Sequence, residues 1–144
     1  MKIGTLDINN LCVGGSEAFA AYLGSVRVYR KQVPSNNIWY TSTDSQIVTP
    51  NITTGYGANI VSNTYSGGLG VITFDGTITS IPASGFSGCT TIQAIALPDT
   101  VTSIGIRAFS NVSGLTEINI SDYVTSIGDR AFQVCTSATS INIG

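Results

Sequence analysis

The chain has 144 residues, a net charge of −2, no histidine and only 10% charged residues. Six Lys and Arg residues are too few for the basic stripe of a nucleic-acid-binding protein. No apolar run approaches the roughly 20 residues that span a bilayer, so no membrane insertion is expected. Because histidine is the commonest general base and metal ligand, its absence predicts a non-enzymatic protein without cofactor or metal.

The first residues, MKIGTLDINN, alternate polar and apolar side chains. A secretory signal needs an unbroken apolar stretch of roughly 7 to 15 residues. With Met1 as the start, this pattern predicts that the chain does not use that export route.

Residues 1–34 contain a ten-residue phrase in three copies: KIGTLDIN, CVGGSEAF and YLGSVRVY. Each copy reads as an apolar residue, a glycine turn or bulge and an alternating strand, which predicts a short antiparallel β module. Three short strands are marginal alone, so we expect a homo-oligomer, plausibly a trimer, or docking on a larger body. The predicted contacts are Val13, Tyr22, Leu23, Val26, Val28 and Tyr29.

The YLGSVRVY phrase resembles the N-terminal parts of small tail or head-decoration proteins of phages that infect gut anaerobes. That resemblance implies a virion component, such as a head fibre, that attaches to capsid or tail proteins and is assembled in the host cytoplasm. The following RKQVPSNN, residues 30–37, contains a proline and polar turn formers and is interpreted as a hinge.

Residues 77–144 repeat with a period of 23 residues, in units beginning TITSIPASGF, TVTSIGIRAF and YVTSIGDRAF. The alternation in LTEINI predicts a half-buried strand in each unit. IGIRAFSNV is expected to form a turn and a short helical or 3₁₀ piece with phenylalanine in the core. Stacking three units buries columns of Ile, Phe and Val side chains that one unit cannot bury alone. This stacking predicts a β-solenoid-like domain.

The phrase VTSIGxRAFxxC followed by LTxIxI resembles the BspA-type leucine-rich repeat, with Pro82 and Ala138 as departures. Residues 35–76, with IWYTSTDSQIVTPN and GANIVSNTYSGGLGVITFDG, resemble the segment that caps such repeats. The resemblance implies a mainly β interaction scaffold, usually for adhesion. SGGLG is a strand-to-strand turn, since no Lys-Ser/Thr follows as in a phosphate loop.

Cysteine and aspartate are the two residue types that could carry chemistry. Cys12, Cys89 and Cys135 are an odd set, and the last two lie two repeats apart, beyond the ~7 Å Cα limit of a disulfide, so both are predicted to be unpaired. Asp99 and Asp122 are one repeat apart, at the ~5 Å of a retaining glycosidase pair. Their position also suits turn residues, as does that of Asp75.

Strand residues pointing away from the core are the predicted binding face, either for a host cell-surface glycan or protein or as an idle solvated face. They are Gln93 or Ala94 with Ala96, Glu117 with Asn119, and Ser140 with Asn142. The preferred function is a phage virion protein that displays these repeats. The alternatives are a BspA-type adhesion protein on the bacterial cell surface and a polysaccharide-cleaving enzyme.

Overall fold

The computed structural model describes residues 32–143, and of residues 140–143 the backbone alone. This part of the chain forms strands in two sheets and contains no helix, which confirms the mainly β fold. The predicted N-terminal module and its contacts Val13, Tyr22, Leu23, Val26, Val28 and Tyr29 lie outside the described residues. The strands are β1 (Asn37–Ser42), β2 (Ile60–Ser66), β3 (Leu69–Phe74), β4 (Ser80–Ile81), β5 (Ile92–Ala96), β6 (Ser103–Ile104), β7 (Glu117–Ile120), β8 (Ser126–Ile127) and β9 (Ser140–Ile143).

The larger sheet, here the main sheet, has the strand order β2-β3-β1-β5-β7-β9. Its first three strands and the β1–β5 pair are antiparallel, whereas β5, β7 and β9 pair in parallel, one strand per repeat. The smaller, side sheet contains β4, β6 and β8, also parallel and one per repeat. Both sheets keep residues 23 positions apart in register, as the sequence period predicts.

Threonine side chains reinforce the stacking of the repeats at both sheets. Beside the side sheet, the Thr102 hydroxyl and backbone N–H both donate to the Thr79 carbonyl, at 3.3 and 2.9 Å. Before β7, Thr116 bonds the Gln93 carbonyl in the same way, at 3.1 and 2.8 Å. The third repeat continues both columns through Thr125 and Thr139. The threonines of VTSI and LTEI therefore join one repeat to the one before it.

A phenylalanine column forms the axis of the core. The rings of Phe86, Phe109 and Phe132 stack with successive centroids 5.4 Å apart and nearly parallel planes. Tyr56 closes the column at the cap, packing edge-on against Phe86 at 6.4 Å and tilted against Phe74 at 5.1 Å. The column thus extends beyond the repeats, a role for Tyr56 that the period did not predict.

The segment after each side-sheet strand differs from the predicted helical or 3₁₀ piece. It is a run of hydrogen-bonded turns in which Arg107 and Asn111 adopt left-handed φ angles of 54° and 60°. A left-handed residue every four positions prevents a continuous helix. The freed N–H groups bond the next repeat instead, as between Phe109 N and the Ala131 carbonyl at 2.8 Å. The helical prediction was wrong because bonding between repeats replaced bonding within the segment.

The glycine of SIG allows two repeats to approach closely. A Cβ on Gly105 would lie 2.5 Å from the Ala83 backbone nitrogen, and one on Gly128 would lie 2.4 Å from that of Ile106. The first repeat carries Pro82 at this position, where no earlier repeat has to be accommodated.

The cap closes the first repeat through Asn51. Its backbone N–H donates to the Gly85 carbonyl at 2.7 Å, and its side-chain amide donates to the Ser87 carbonyl at 3.1 Å. Behind it, the Tyr40 hydroxyl donates to Asn63 at 2.9 Å and accepts the Val48 N–H at 3.0 Å. The two Asn51 bonds satisfy the Gly85 and Ser87 carbonyls, whose equivalents in the second repeat, the carbonyls of Ala108 and Ser110, accept N–H groups of the first repeat.

The described part of the predicted hinge is packed against the fold. Val33 is 2% exposed, and the Ser35 and Asn36 carbonyls accept the backbone N–H groups of Ile78 and Phe74 at 2.9 and 2.8 Å. Residues 32–37 therefore do not form a free linker, because an apolar side chain and two carbonyl groups there find partners in the fold.

Replacing Phe109 with alanine should destabilise the protein by about 3 to 5 kcal/mol, because the ring is fully buried and stacked on both sides. Phe132→Ala is the matched control and should cost roughly half as much, since that ring is only partly buried and stacks on one side. Urea unfolding followed by circular dichroism measures both. Equal losses would contradict this account of the column.

Candidate functional site

The two aspartates considered as a catalytic pair lie in turns, as the alternative reading predicted. The Pro98 carbonyl accepts the Val101 N–H at 3.2 Å across Asp99, and the Ser121 carbonyl accepts the Val124 N–H at 3.2 Å across Asp122. The Asp99 carboxylate also accepts a hydrogen bond from the Gln32 side chain.

An open groove of about 330 Å³ lies beside Asp99, between the segment before β1 and the turn after β5. Thr100 lines it with a buried hydroxyl that has no hydrogen-bond partner in the described structure. Among the residues that line the groove, Asp99 is the one acid, and its carboxylate already accepts a hydrogen bond from Gln32, so the groove contains no pair of acids for glycoside hydrolysis.

Asp75 has a structural role in the cap. Its two carboxylate oxygens accept the backbone and side-chain N–H groups of Asn59 at 2.9 and 3.0 Å. The side-chain bond, followed by the backbone bond, lowers the pKa of Asp75 below its ordinary value. This carboxylate joins the start of β2 to the end of β3.

The described cysteines lack the properties of reactive or metal-binding thiols. Cys89 and Cys135 are unpaired and partly buried, and burial raises the pKa of both thiols. Each Sγ faces a carbonyl oxygen, Thr49 at 3.7 Å and Phe109 at 3.1 Å. Within residues 32–143 no group of three or more His, Cys, Asp or Glu side chains is placed to hold a metal ion.

The face of the main sheet that points away from the phenylalanine column, here the outer face, is the candidate binding surface. The strand pairings place one row of residues straight across all six strands. The row reads Thr64, Val71, Trp39, Ala96, Asn119 and Asn142. In the neighbouring row Ala94, Glu117 and Ser140 stand side by side. The register therefore brings four predicted binding positions together on two adjacent strands.

Gln93, the remaining predicted binding residue, lies outside these rows. Thr41 pairs with Ala94 and Ser42 with Ile92, so Gln93 is the extra residue of a β-bulge. It is exposed, and the threonines of the later repeats at its position bond between repeats. The sequence left Gln93 and Ala94 open as the first-repeat position. The structure places Ala94 beside Glu117 and Ala96 beside Asn119 in the two rows.

The centre of the outer face is an apolar cluster that lies between Thr64 on β2 and the polar positions of β7 and β9. Ala94 and Ala96 are 7% and 0% exposed and cluster with Val33 and Leu69, against which Trp39 packs. The expectation of an open face is therefore wrong for the first repeat, since its alanines are buried in this cluster. The predicted polar binding positions belong to β7 and β9, where Glu117 and Asn119 are partly exposed. Trp39, at the centre of the row, was not predicted because only the β1–β5 pairing places it there.

The comparison with known families agrees with this architecture. Residues 58–144 match the family described as BspA type leucine rich repeat region (6 copies), which is more than half of the chain. The chain belongs to the BspA-type leucine-rich repeat family. The match includes the β2–β3 hairpin of the cap as well as the three repeats.

One solved structure is similar to this BspA-type chain in sequence. It is a leucine rich cell surface protein from Faecalibacterium prausnitzii A2-165, with 35% identity over 47% of this chain and a TM-score of 0.46. The chain covers 18% of that protein's chain, so it spans less than a fifth of it. No curated protein matches the chain.

These findings give no support to the resemblance with phage proteins, which rests on residues outside the described part of the BspA-type chain. No helix of sufficient length and apolar character to cross a membrane occurs within residues 32–143.

Because the folded pKa of Asp75 is lowered, its carboxylate form stabilises the fold above the unfolded pKa, near 3.8, and this contribution is lost as the pH falls through the folded pKa. Asp75→Asn should lower the urea midpoint at pH 6, and the difference from wild type should shrink below about pH 4. Asp122→Asn, in an exposed turn, is the control and should change little. A difference that persists unchanged at pH 3 would argue against the Asn59 interaction.

Proposed function

We propose that this chain is a non-enzymatic binding module of a bacterial cell-surface protein, and that it recognises a host-surface glycan or protein through the outer face of its main sheet. The observation that carries the proposal is the row that aligns Trp39 with Asn119 and the Asn142 position across adjacent strands. An aromatic ring and an amide side chain in one row of a sheet suit stacking and hydrogen bonding with a polar ligand.

The family and the disposition of the polar groups support a binding role. BspA-type repeats are interaction scaffolds, as the sequence resemblance implies, and the described carboxylates and thiols with resolved partners serve turns, the cap and the core. A virion role is not proposed, because no observation on the described residues favours it over the cell surface.

Replacing Glu117 and Asn119 together with alanine should weaken ligand binding at least about tenfold, as expected for the loss of two polar contacts. Fluorescently labelled chain would be applied to an array of neutral oligosaccharides and to cultured epithelial cells. Ser126→Ala, exposed on the side sheet, is the matched control and should bind like wild type. Thermal unfolding of each variant separates lost binding from lost folding. If the double variant folds and still binds normally, the outer face is not the binding surface.

The proposed location predicts that brief protease treatment of intact source cells releases peptides of this chain. Mass spectrometry of the supernatant, with a cytoplasmic enzyme as the leakage control, provides the measurement. Recovery of the chain solely from purified phage particles would overturn the cell-surface assignment.

A further inference from the structure

The described residues contain two cationic side chains, Arg107 and Arg130, and the fold places both at one spot. They occupy the same position in the second and third repeats, 23 residues apart. Two positions further on, the rings of Phe109 and Phe132 stack 5.4 Å apart with planes 2° from parallel, which measures the spacing of the two repeats here. The two arginines therefore start from neighbouring turns about one repeat spacing apart.

The two turns are joined directly, since the Arg107 N–H donates to the Asp129 carbonyl at 3.0 Å. Both arginines have left-handed backbones, with φ of 54° and 58°, and both are exposed. Arg130 Nε lies 3.4 Å from a carboxylate oxygen of Asp129. The Arg107 guanidinium has no ion-pair or hydrogen-bond partner within residues 32–143. The cluster thus has two positive charges against one negative charge.

This cluster has a net positive charge, whereas the rest of the described fold is acidic. The six acidic residues of the described part outnumber its two cations, and five of the six, Asp44, Asp75, Asp99, Glu117 and Asp122, lie on other segments. Like charges stacked at this spacing repel, and an anion held between them removes the repulsion. Next to Arg107 in the chain, Ile106 is 54% exposed and offers an apolar surface.

We propose that Arg107 and Arg130 form a site for the carboxylate or sulfate group of an acidic polysaccharide, with Ile106 contacting the sugar ring. A guanidinium binds such planar or trigonal oxygen groups through two parallel hydrogen bonds, and two guanidiniums on adjacent turns can engage one group or two successive groups. The site lies on the turns and not on the outer face, so it is independent of the proposed function.

The chemistry favours a glycan over other anionic polymers. Nucleic-acid binding gains its affinity from neutralising many phosphates, and two cations on a domain of net negative charge neutralise too few. A polysaccharide carries its acidic groups on rings that also present apolar C–H surfaces, which matches the pairing of the arginines with Ile106. An acidic polypeptide lacks those rings, and its binding is the alternative result that the experiment tests.

The test is binding of the full chain to immobilised polygalacturonate and dextran sulfate, with neutral dextran and poly-glutamate alongside, over a series of NaCl concentrations. Wild type should bind one or both acidic polysaccharides, more weakly as salt rises, and should not bind neutral dextran. Arg107→Gln with Arg130→Gln should weaken binding at least about tenfold. Asp129→Asn should strengthen it by about twofold, because the competing carboxylate is removed.

The charge-matched control is Arg30→Gln with Lys31→Gln, which removes two positive charges at other positions of the sequence and should bind like wild type. Binding to polygalacturonate alone or to dextran sulfate alone identifies the group and supports the site. Equal binding of poly-glutamate, equal losses in both double variants, or no binding to either polysaccharide at low salt would overturn it. Circular dichroism confirms that each variant is folded.

Discussion

Hydrogen bonding between equivalent positions of successive repeats is the constraint on which this structure depends. Each repeat bonds its neighbours in the main sheet, in the side sheet and in the turns between them. Because the backbone groups of the turns are used between repeats, each turn must adopt left-handed residues and its glycine must admit the adjacent backbone. The threonine columns and the stacked phenylalanines then follow at the same spacing.

Such stacking leaves the backbone groups of the first repeat without a preceding repeat to bond. The cap provides partners for them in the main sheet and at the turns. In the main sheet β1 pairs antiparallel with β5 and covers its edge. At the turns Asn51 donates to the carbonyl groups of the first repeat, and inside the core Tyr56 ends the aromatic column. The cap also contributes Trp39 to the outer face, so the proposed ligand surface combines residues from the cap and from the repeats.

Several polar side chains are also used for hydrogen bonding within the fold. The carboxylates of Asp75 and Asp99 and the thiols of Cys89 and Cys135 accept or donate hydrogen bonds within the fold. The polar positions of the outer face and the two arginines of the turns lie on separate surfaces of the repeats. A scaffold of this kind supports recognition at more than one surface without providing reactive groups.

The amino-acid sequence by itself determined the period, the mainly β class, the buried phenylalanine column and the turn positions of Asp99 and Asp122, because these follow from local patterns repeated at fixed spacing. Tertiary structure decided the rest. The turn after each side-sheet strand is not helical because its N–H groups bond the next repeat. Gln93 leaves the binding rows because pairing with β1 introduces a bulge, and Trp39 joins them through that same long-range pairing. Local sequence carries no signal for a register between strands more than fifty residues apart, and that register is what assembles the candidate surface.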